Sequence, residues 1–317
     1  MDPLSDVLTV SGVRGALGNR VAAGGTWATA VDDCSGEAVL HAVTAGSAWL
    51  TVPGREALHL AAGDVVLVGS GIPHVLGDDP RTPGTACDRA AATRRGRTGE
   101  VLTLGSQPPT THVVTLSYTC DSTALTQVVQ SLPDLVHVAA GTGTAGLDAT
   151  VRMLDQELRD PQIASTAVLN SLIDVVLVQL LRAWLASRPV ACRGTWLAMT
   201  QDPVVGRALE HLHADPGRPW TTASLATATA VSRATLARRF PAVIGQTPAA
   251  YLTSWRMDLA AVRLRQGREP VESIASDVGY SSVPAFTRAF TRAHGRTPGR
   301  YRTQARDAGQ AWETAPA

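Results

Sequence analysis

Apolar residues over the first 140 positions alternate with small or polar ones, and the alternation breaks repeatedly at turn signals. The stretch "AVLHAVTAGSAWLTVPG" (38–54) runs apolar-polar and turns at Pro53-Gly54. "REALHLAAGDVVLVGSGIPHVL" (55–76) adds a strand, a Gly-Asp turn, an apolar run and a Gly-Ile-Pro-His turn, and "HVVTLSYTC" (112–120) resumes the pattern. A period of two with closely spaced turns predicts short strands in a sandwich or small barrel. Residues 82–111 are poor in large apolar side chains and rich in Arg, Gly and Thr. They are expected to form a mobile insertion between strands.

From about residue 146 the period lengthens to that of a helix. "DATVRMLDQELRD" predicts one helix that ends at Pro161. A second, from about Pro161 to Ser187, carries Leu169, Leu172, Ile173, Val176, Leu177, Leu180, Leu181 and Trp184 at spacings of three and four. Asn170, Asp174, Gln179 and Arg182 interrupt its apolar run, so it reads as a buried or interface helix and not as a membrane span. Packing on the strands and pairing with a second copy both fit its wide apolar face. "SRPVACRGTW" predicts a linker.

Residues 202–306 are helical with short punctuated turns, and they contain an internal repeat. "ARRFPAVIGQTPAAY" (237–251) aligns with "TRAFTRAHGRTPGRY" (287–301) at an offset of 50. Arg238 meets Arg288, Phe240 meets Phe290, Gly245 meets Gly295, Thr247-Pro248 meets Thr297-Pro298, and Tyr251 meets Tyr301. Upstream, "SLATATAVSRATL" faces "SIASDVGYSSVPAF", with one extra residue in the second turn. Each copy therefore reads helix, tight turn, helix, then a Gly stop and a Thr-Pro start. That is the helix-turn-helix unit, whose second helix enters the DNA major groove. Gly279 suits a left-handed turn position. "TPAAYLTSWRMDLAAVRLRQG" (247–267) predicts a long helix joining the copies, with Leu252, Trp255, Leu259 and Val262, and with Arg256 and Arg263, at helical spacing. Such a helix can hold two reading helices at the spacing of successive major grooves, about 34 Å.

The charge supports this division. The chain is +1 overall, with 28 arginines and no lysine. Residues 202–306 carry 15 Arg against 7 acids, and the remainder 13 Arg against 20. A basic C-terminal third on an acidic remainder fits a nucleic-acid-binding domain joined to something else. Cys34, Cys87, Cys120 and Cys192 match no zinc or Cys-x-x-Cys spacing, and no signal peptide opens the chain, so a cytoplasmic protein is expected. Cys192, in the linker, is expected to be exposed. Asp32-Asp33 and Asp78-Asp79 read as turn residues.

With the repeat in hand, "SIASDVGYSSVPAFTRAFTRAHGRTPGRYR" resembles the C-terminal signature of AraC-type transcription regulators, and 202–306 resembles their DNA-binding module. The resemblance implies that Arg233, Ala234, Thr235, Ala237 and Arg238 face DNA in the first copy. In the second copy it implies Ser282, Val283, Pro284, Thr287 and Arg288. Helical spacing independently puts Arg238 and Arg288 opposite Leu236/Phe240 and Phe286/Phe290. Each could pair with guanine O6 and N7, or contact phosphate, or simply be solvated. Arg239 and Arg292 are assigned to phosphates. One departure is Pro241 inside the first reading helix, which is expected to end or bend it.

"GDVVLVGSGIPH" (63–74) resembles the second cupin motif, and "HAVTAGSAWLTVPG" the strand pair before it, as in the cupin sensor domain of one branch of these regulators. Gly69 stands where the motif usually has proline, and no His-x-His pair is present. His41 and His74 are the candidate ligand residues, with His59 on an adjacent strand; a structural role for each histidine is the competing reading. Some cupin-bearing relatives respond to oxidants, which makes Cys34 and Cys87 the redox candidates, against buried inert thiols.

The expected fold is α+β: a cupin-like β-sandwich (1–145), a two-helix connector that could form a dimer interface (146–195), an all-α double helix-turn-helix domain (202–306) and a disordered tail (307–317). The function expected is a DNA-binding transcription regulator responding to a small molecule or oxidant, with no cofactor, metal or catalytic residue. The alternative is a metal-dependent cupin oxygenase or isomerase with a basic appendage, against which the repeat and the missing His-x-His both argue. The candidate partners are double-stranded DNA, a small-molecule effector, a second copy through 161–187 and RNA polymerase, and no membrane.

Overall fold

The alternating segments of the first 140 residues fold into two sheets. In the structure, a computed structural model, the described residues are 6, 10, 12–32, 36–119, 133–142, 145–187 and 202–304. Cys34, Cys120, Cys192, most of the expected linker and the tail at 307–317 lie outside them. The strands are β1 Arg14–Ala23, β2 Ala28–Val31, β3 Glu37–Ala45, β4 Ser47–Thr51, β5 Leu58–Ala61, β6 Val65–Val68, β7 His74–Gly77, β8 Thr85–Ala86, β9 Val101–Leu104, β10 Thr111–Thr119 and β11 Leu135–Val138. One sheet has the order β11-β6-β3-β10-β1-β9 and the other β5-β4-β7-β2-β8. Val21, Val43, Val66 and Val113 of the first meet Trp27, Leu50, Leu60 and Leu76 of the second in one core. The period of two in the sequence is this inner face.

Residues 82–111 are not a loose insertion. They hold β8, a helix α1 (Arg89–Thr98) and β9. Asp88 caps α1 by accepting from Ala91 N, and Gly99 ends it in the left-handed conformation at φ 71°. A segment with few large apolar residues still folds here because its caps and its pairing with β1 and β2 satisfy the backbone.

Two helices complete this half of the chain, α2 (Ala145–Arg159) and α3 (Ser165–Ser187). Leu147, Val151, Leu154 and Leu158 of α2 are buried, as are Leu172, Ile173, Val176, Leu177, Leu180, Leu181 and Trp184 of α3. The helices pack on each other, with α3 also along β1 and β11 and α2 against β3. The Tyr118 hydroxyl, on β10, donates to the Ile173 carbonyl at 2.8 Å. The helix Ser165–Ala186 is apolar and long enough to cross a membrane by length and composition, but one side of it, from Leu172 to Trp184, is packed in the core of this unit.

The chain divides into two compact units, Val13–Cys120 with Leu132–Arg188 as one and Pro189–Ala317 with two short stretches as the other. The second unit holds α4 (Pro203–Ala214), α5 (Thr222–Ala228), α6 (Arg233–Ile244), α7 (Pro248–Gln266), α8 (Val271–Asp277) and α9 (Val283–His294), then a short helix over 298–304. The first motif is α5-turn-α6 and the second α8-turn-α9.

The caps repeat as the sequence does. Ser232 accepts from Thr235 N and Ser282 from Ala285 N. Gly245 and Gly295 end α6 and α9 in left-handed conformation, and their N–H groups return to Pro241 O and Thr291 O. Thr221 caps α5 in a capping box with Ser224. Helix α6 does not end at Pro241 but runs on to Ile244. Proline forfeits one bond there, its own N–H to Ala237 O, while its carbonyl still accepts the closing bond from Gly245.

The tight turns open with the same two bonds, although the second is one residue longer. Ala230 N and Val231 N bond to Thr227 O and Ala226 O, and Gly279 N and Tyr280 N bond to Ser276 O and Ala275 O. This is the Schellman pattern, and it needs a left-handed residue. Gly279 takes it at φ 86°, while Ala230 takes it at φ 56° against its Cβ. Ala230 is exposed. Ala230→Gly is therefore expected to stabilise the second unit by about 1 kcal/mol. Gly279→Ala should destabilise it by more, because the new Cβ would sit 2.5 Å from the Gly217 carbonyl oxygen. Thermal unfolding of both variants checks the pair, and equal shifts of the same sign would refute the account.

Candidate nucleic-acid interface

In each motif the second helix buries one face and leaves the other free. Leu236, Phe240 and Ile244 of α6 and Phe286 and Phe290 of α9 are buried. All three phenylalanines of the chain are thus the inward anchors of these two helices. On the opposite side Arg233, Ala234, Ala237, Arg238 and Arg239 of α6 are exposed, as are Ser282, Pro284, Arg288 and Arg292 at α9. Thr235, Val283 and Thr287 are half-buried at the edges of these faces. Thr235 also shares a hydrogen bond with Ser232 at 2.8 Å, so its hydroxyl serves the cap. Arg239 lies 3.6 Å from Asp202, which ties it to the start of α4.

Helix α7 carries both cores. Tyr251 meets Phe240 of the first motif edge to face and Trp255 stacks on His213 of α4, while Met257, Ala260, Ala261 and Leu264 belong with the second motif. Leu259, half-buried, packs against the second core, and Val262 is half-buried. Each Thr-Pro-x-x-Tyr tyrosine gives its ring to a core and its hydroxyl to a base from the preceding long helix. Tyr251 is 2.8 Å from His213 Nε2, and Tyr301 accepts from Arg265 Nη1 at 2.9 Å. His213 stacks on Trp255 with ring centres 3.9 Å apart, and its Nδ1 is 3.3 Å from Asp6. Spacing did not single out this base-tyrosine pairing, because its two bases are different residue types at unequal offsets.

Burial holds the His213 imidazole below its ordinary value of 6.5, against the pull of the Asp6 carboxylate. Burial pushes the Asp258 carboxyl up to about 7, against Arg265.

In the other unit, His41 and His74 come together inside the β core, with their Nε2 atoms 2.9 Å apart. The Ile72 carbonyl can only accept, so His74 Nδ1 carries the hydrogen at 2.9 Å. His74 Nε2 then accepts from His41 Nε2, and His41 Nδ1 accepts from the Thr115 hydroxyl at 3.0 Å. Burial lowers both imidazoles, which keeps them neutral as this chain of bonds requires. No third His, Cys, Asp or Glu joins them to make a metal-sized group among the described residues. His59 does not join them either. It lies exposed on the edge strand β5, against Trp49. Asp78 accepts from Trp27 N and Thr82 Oγ1, as a turn residue would. The Cys87 thiol is half-buried and within 3.5 Å of Asn19 Nδ2; Cys34 lies outside the described residues.

This architecture, a cupin-type β unit and a double helix-turn-helix unit, defines a class of DNA-binding regulator. The cupin family profile matches residues 2–186, and the helix-turn-helix domain profile matches 225–304. An AraC-like transcription regulator of Streptomyces antibioticus is 40% identical over 310 residues, which covers 95% of this chain and 98% of that protein. The HTH-type transcriptional regulator AlkR of Acinetobacter baylyi is 27% identical over 84% of this chain and 88% of its own. A crystal structure of a transcriptional regulator with an AraC-type DNA-binding domain from Chromobacterium violaceum is 29% identical, covering 34% of this chain and 96% of that one at a TM-score of 0.33. The chain belongs to the AraC family of transcription regulators, and its function is DNA-binding transcriptional regulation. The cupin match takes in α2 and α3, which the sequence reading set apart as a connector.

The two buried groups of the helical unit make opposed contributions to its stability against pH. A histidine whose pKa is depressed on folding contributes stability above 6.5 that is lost as pH falls, because the unfolded chain takes up the proton first. Asp258, raised on folding, acts in the reverse sense. His213→Gln removes the first and leaves the second. The variant is expected to lose less thermal stability than the wild type between pH 7 and pH 5, by melting curves on the full chain. Parallel curves would refute the assignment.

Proposed function

We propose that the protein reads an operator through α6 and α9 in two successive major grooves on one face of the duplex. The observation that carries this is the pair of helices with the same caps and the same outward arginine at an offset of 50, each preceded by the same left-handed turn at an offset of 49. Arg238 and Arg288 are the base readers, supported by Arg233, Ala234, Thr235 and Ala237 in one groove and Ser282, Val283, Pro284 and Thr287 in the other. Arg239 and Arg292 contact phosphates, with Asp202 orienting Arg239. The work takes place in the cytoplasm, without catalysis, and RNA polymerase is the partner through which a bound regulator acts.

The cupin unit senses a small molecule or an oxidant in this reading, with Cys34 and Cys87 as the thiols of the oxidant case. The closed hydrogen-bond chain from Thr115 to Ile72 favours a structural role for His41 and His74, as a strut between the sheets, over a ligand-binding one. A homodimer forms through the outward side of α3, where Val168 and Val175 are 40% and 42% exposed.

Arg288→Ala is expected to relax base preference in one half of the operator at a cost of about 1–3 kcal/mol. Selection from random duplexes, repeated with the variant, reads this. An unchanged preference with a shallower salt dependence would make Arg288 a phosphate contact. Val175→Glu should convert dimer to monomer in sedimentation, and a monomeric wild type would end the dimer reading.

A further inference from the structure

The side chain of Arg256 leaves the middle of α7 and ends in the loop between α4 and α5. Its Nε donates to Pro216 O at 2.6 Å, and its Nη2 donates to Arg218 O at 2.9 Å and to Gly217 O at 3.4 Å. Three consecutive carbonyls accept from one planar fork, a geometry that suits a guanidinium and not an ammonium. The group is half-buried. Burial lowers its pKa, while Tyr280 and Asp215 favour the charge. Asp215 belongs to the first motif's approach loop and Tyr280 to the second motif's turn, so one guanidinium faces both.

The two loops also meet backbone to backbone. A Cβ on Gly279 would lie 2.5 Å from Gly217 O and 2.7 Å from Arg256 Nη2, and a Cβ on Gly217 would lie 2.9 Å from Asp277 O. Further along α7, Arg263 pairs with Asp277 at 2.5 Å and with Glu269. Arg256 is therefore bonded to the first motif's approach loop and lies against the second motif's turn, and Arg263 is paired with the end of α8. Helix α7 is not a bare spacer with a unit at each end.

We infer that Arg256 is a positioning residue that holds the two reading helices at one angle and separation, so that the protein selects operators by the spacing of their halves. The inference rests on the two-groove reading above. A hinged joint would let the second motif follow a displaced half-site. A locked joint cannot, because each added base pair moves that half-site by about 3.4 Å and turns it by about 35°.

The test uses the full chain and the best duplex selected from a random pool by the wild type. Affinity is measured for that duplex and for versions with one base pair inserted or removed between its halves. The wild type is expected to lose about tenfold or more on either change, the scale of one mismatched base pair. Arg256→Met, which keeps the stem and loses the fork, should bind all three duplexes with nearly equal affinity. Arg256→Lys should fall between. A merely structural role would weaken all three by the same factor, and unchanged ratios between duplexes overturn the inference. If the Met variant does not fold, unchanged ratios in the Lys variant overturn it equally. Footprinting of the wild type separates the premise, since protection of a single groove would sink the two-groove reading regardless of Arg256.

Discussion

Helix α7 is buried by two cores at once, and the geometry of the DNA-binding unit follows from that. Nine of its nineteen residues are buried, Asp258 among them. A helix with one apolar stripe could serve one motif and leave the other free to swing. Here the stripe turns from Tyr251, Leu252 and Trp255 towards Met257, Ala261 and Leu264, so each motif claims a different side and end of the same rod. The cost is polar burial. His213 and Asp258 are held neutral or nearly so, and Trp255 Nε1 is buried without a hydrogen-bond partner among the described residues.

The arginines of this unit divide by what they face. Arg256, Arg263 and Arg265 point back into the protein, onto carbonyls, carboxylates and a tyrosine hydroxyl. Arg233, Arg238, Arg288 and Arg292 point out. Net charge alone treats them as equivalent, although the first group is already spent on partners inside the protein. The β unit uses the same economy on a smaller scale. Its two imidazoles satisfy each other and two neighbours across the sheets, so a polar group enters the core without a charge.

Much of this was legible in the chain. The offset-50 repeat, the Gly stops and the Thr-Pro starts placed the helices and their caps, because each signal acts within a few residues of its own position. The alternation at 38–54 and 55–76 placed the strands for the same reason. The segment at 82–111 hides its order, since a helix stabilised by its caps and by neighbouring strands leaves little apolar periodicity to read. Pro241 signals a helix end that the fold overrides, since one lost hydrogen bond in the last turns of a well-anchored helix does not end it.

What the sequence by itself determined is therefore the local grammar: two motifs, three inward phenylalanines, two outward arginines and a basic third joined to an acidic remainder. Tertiary structure alone decided the pairings between distant residues. These are Arg256 with the 216–218 carbonyls, Gly217 against Gly279, His213 between Tyr251 and Trp255, and His41 against His74. Such contacts join positions 33 to 62 residues apart in the chain, set by how helices and sheets pack and by which buried polar groups must find a partner. No periodicity records them, because the constraint is spatial proximity and not spacing along the chain.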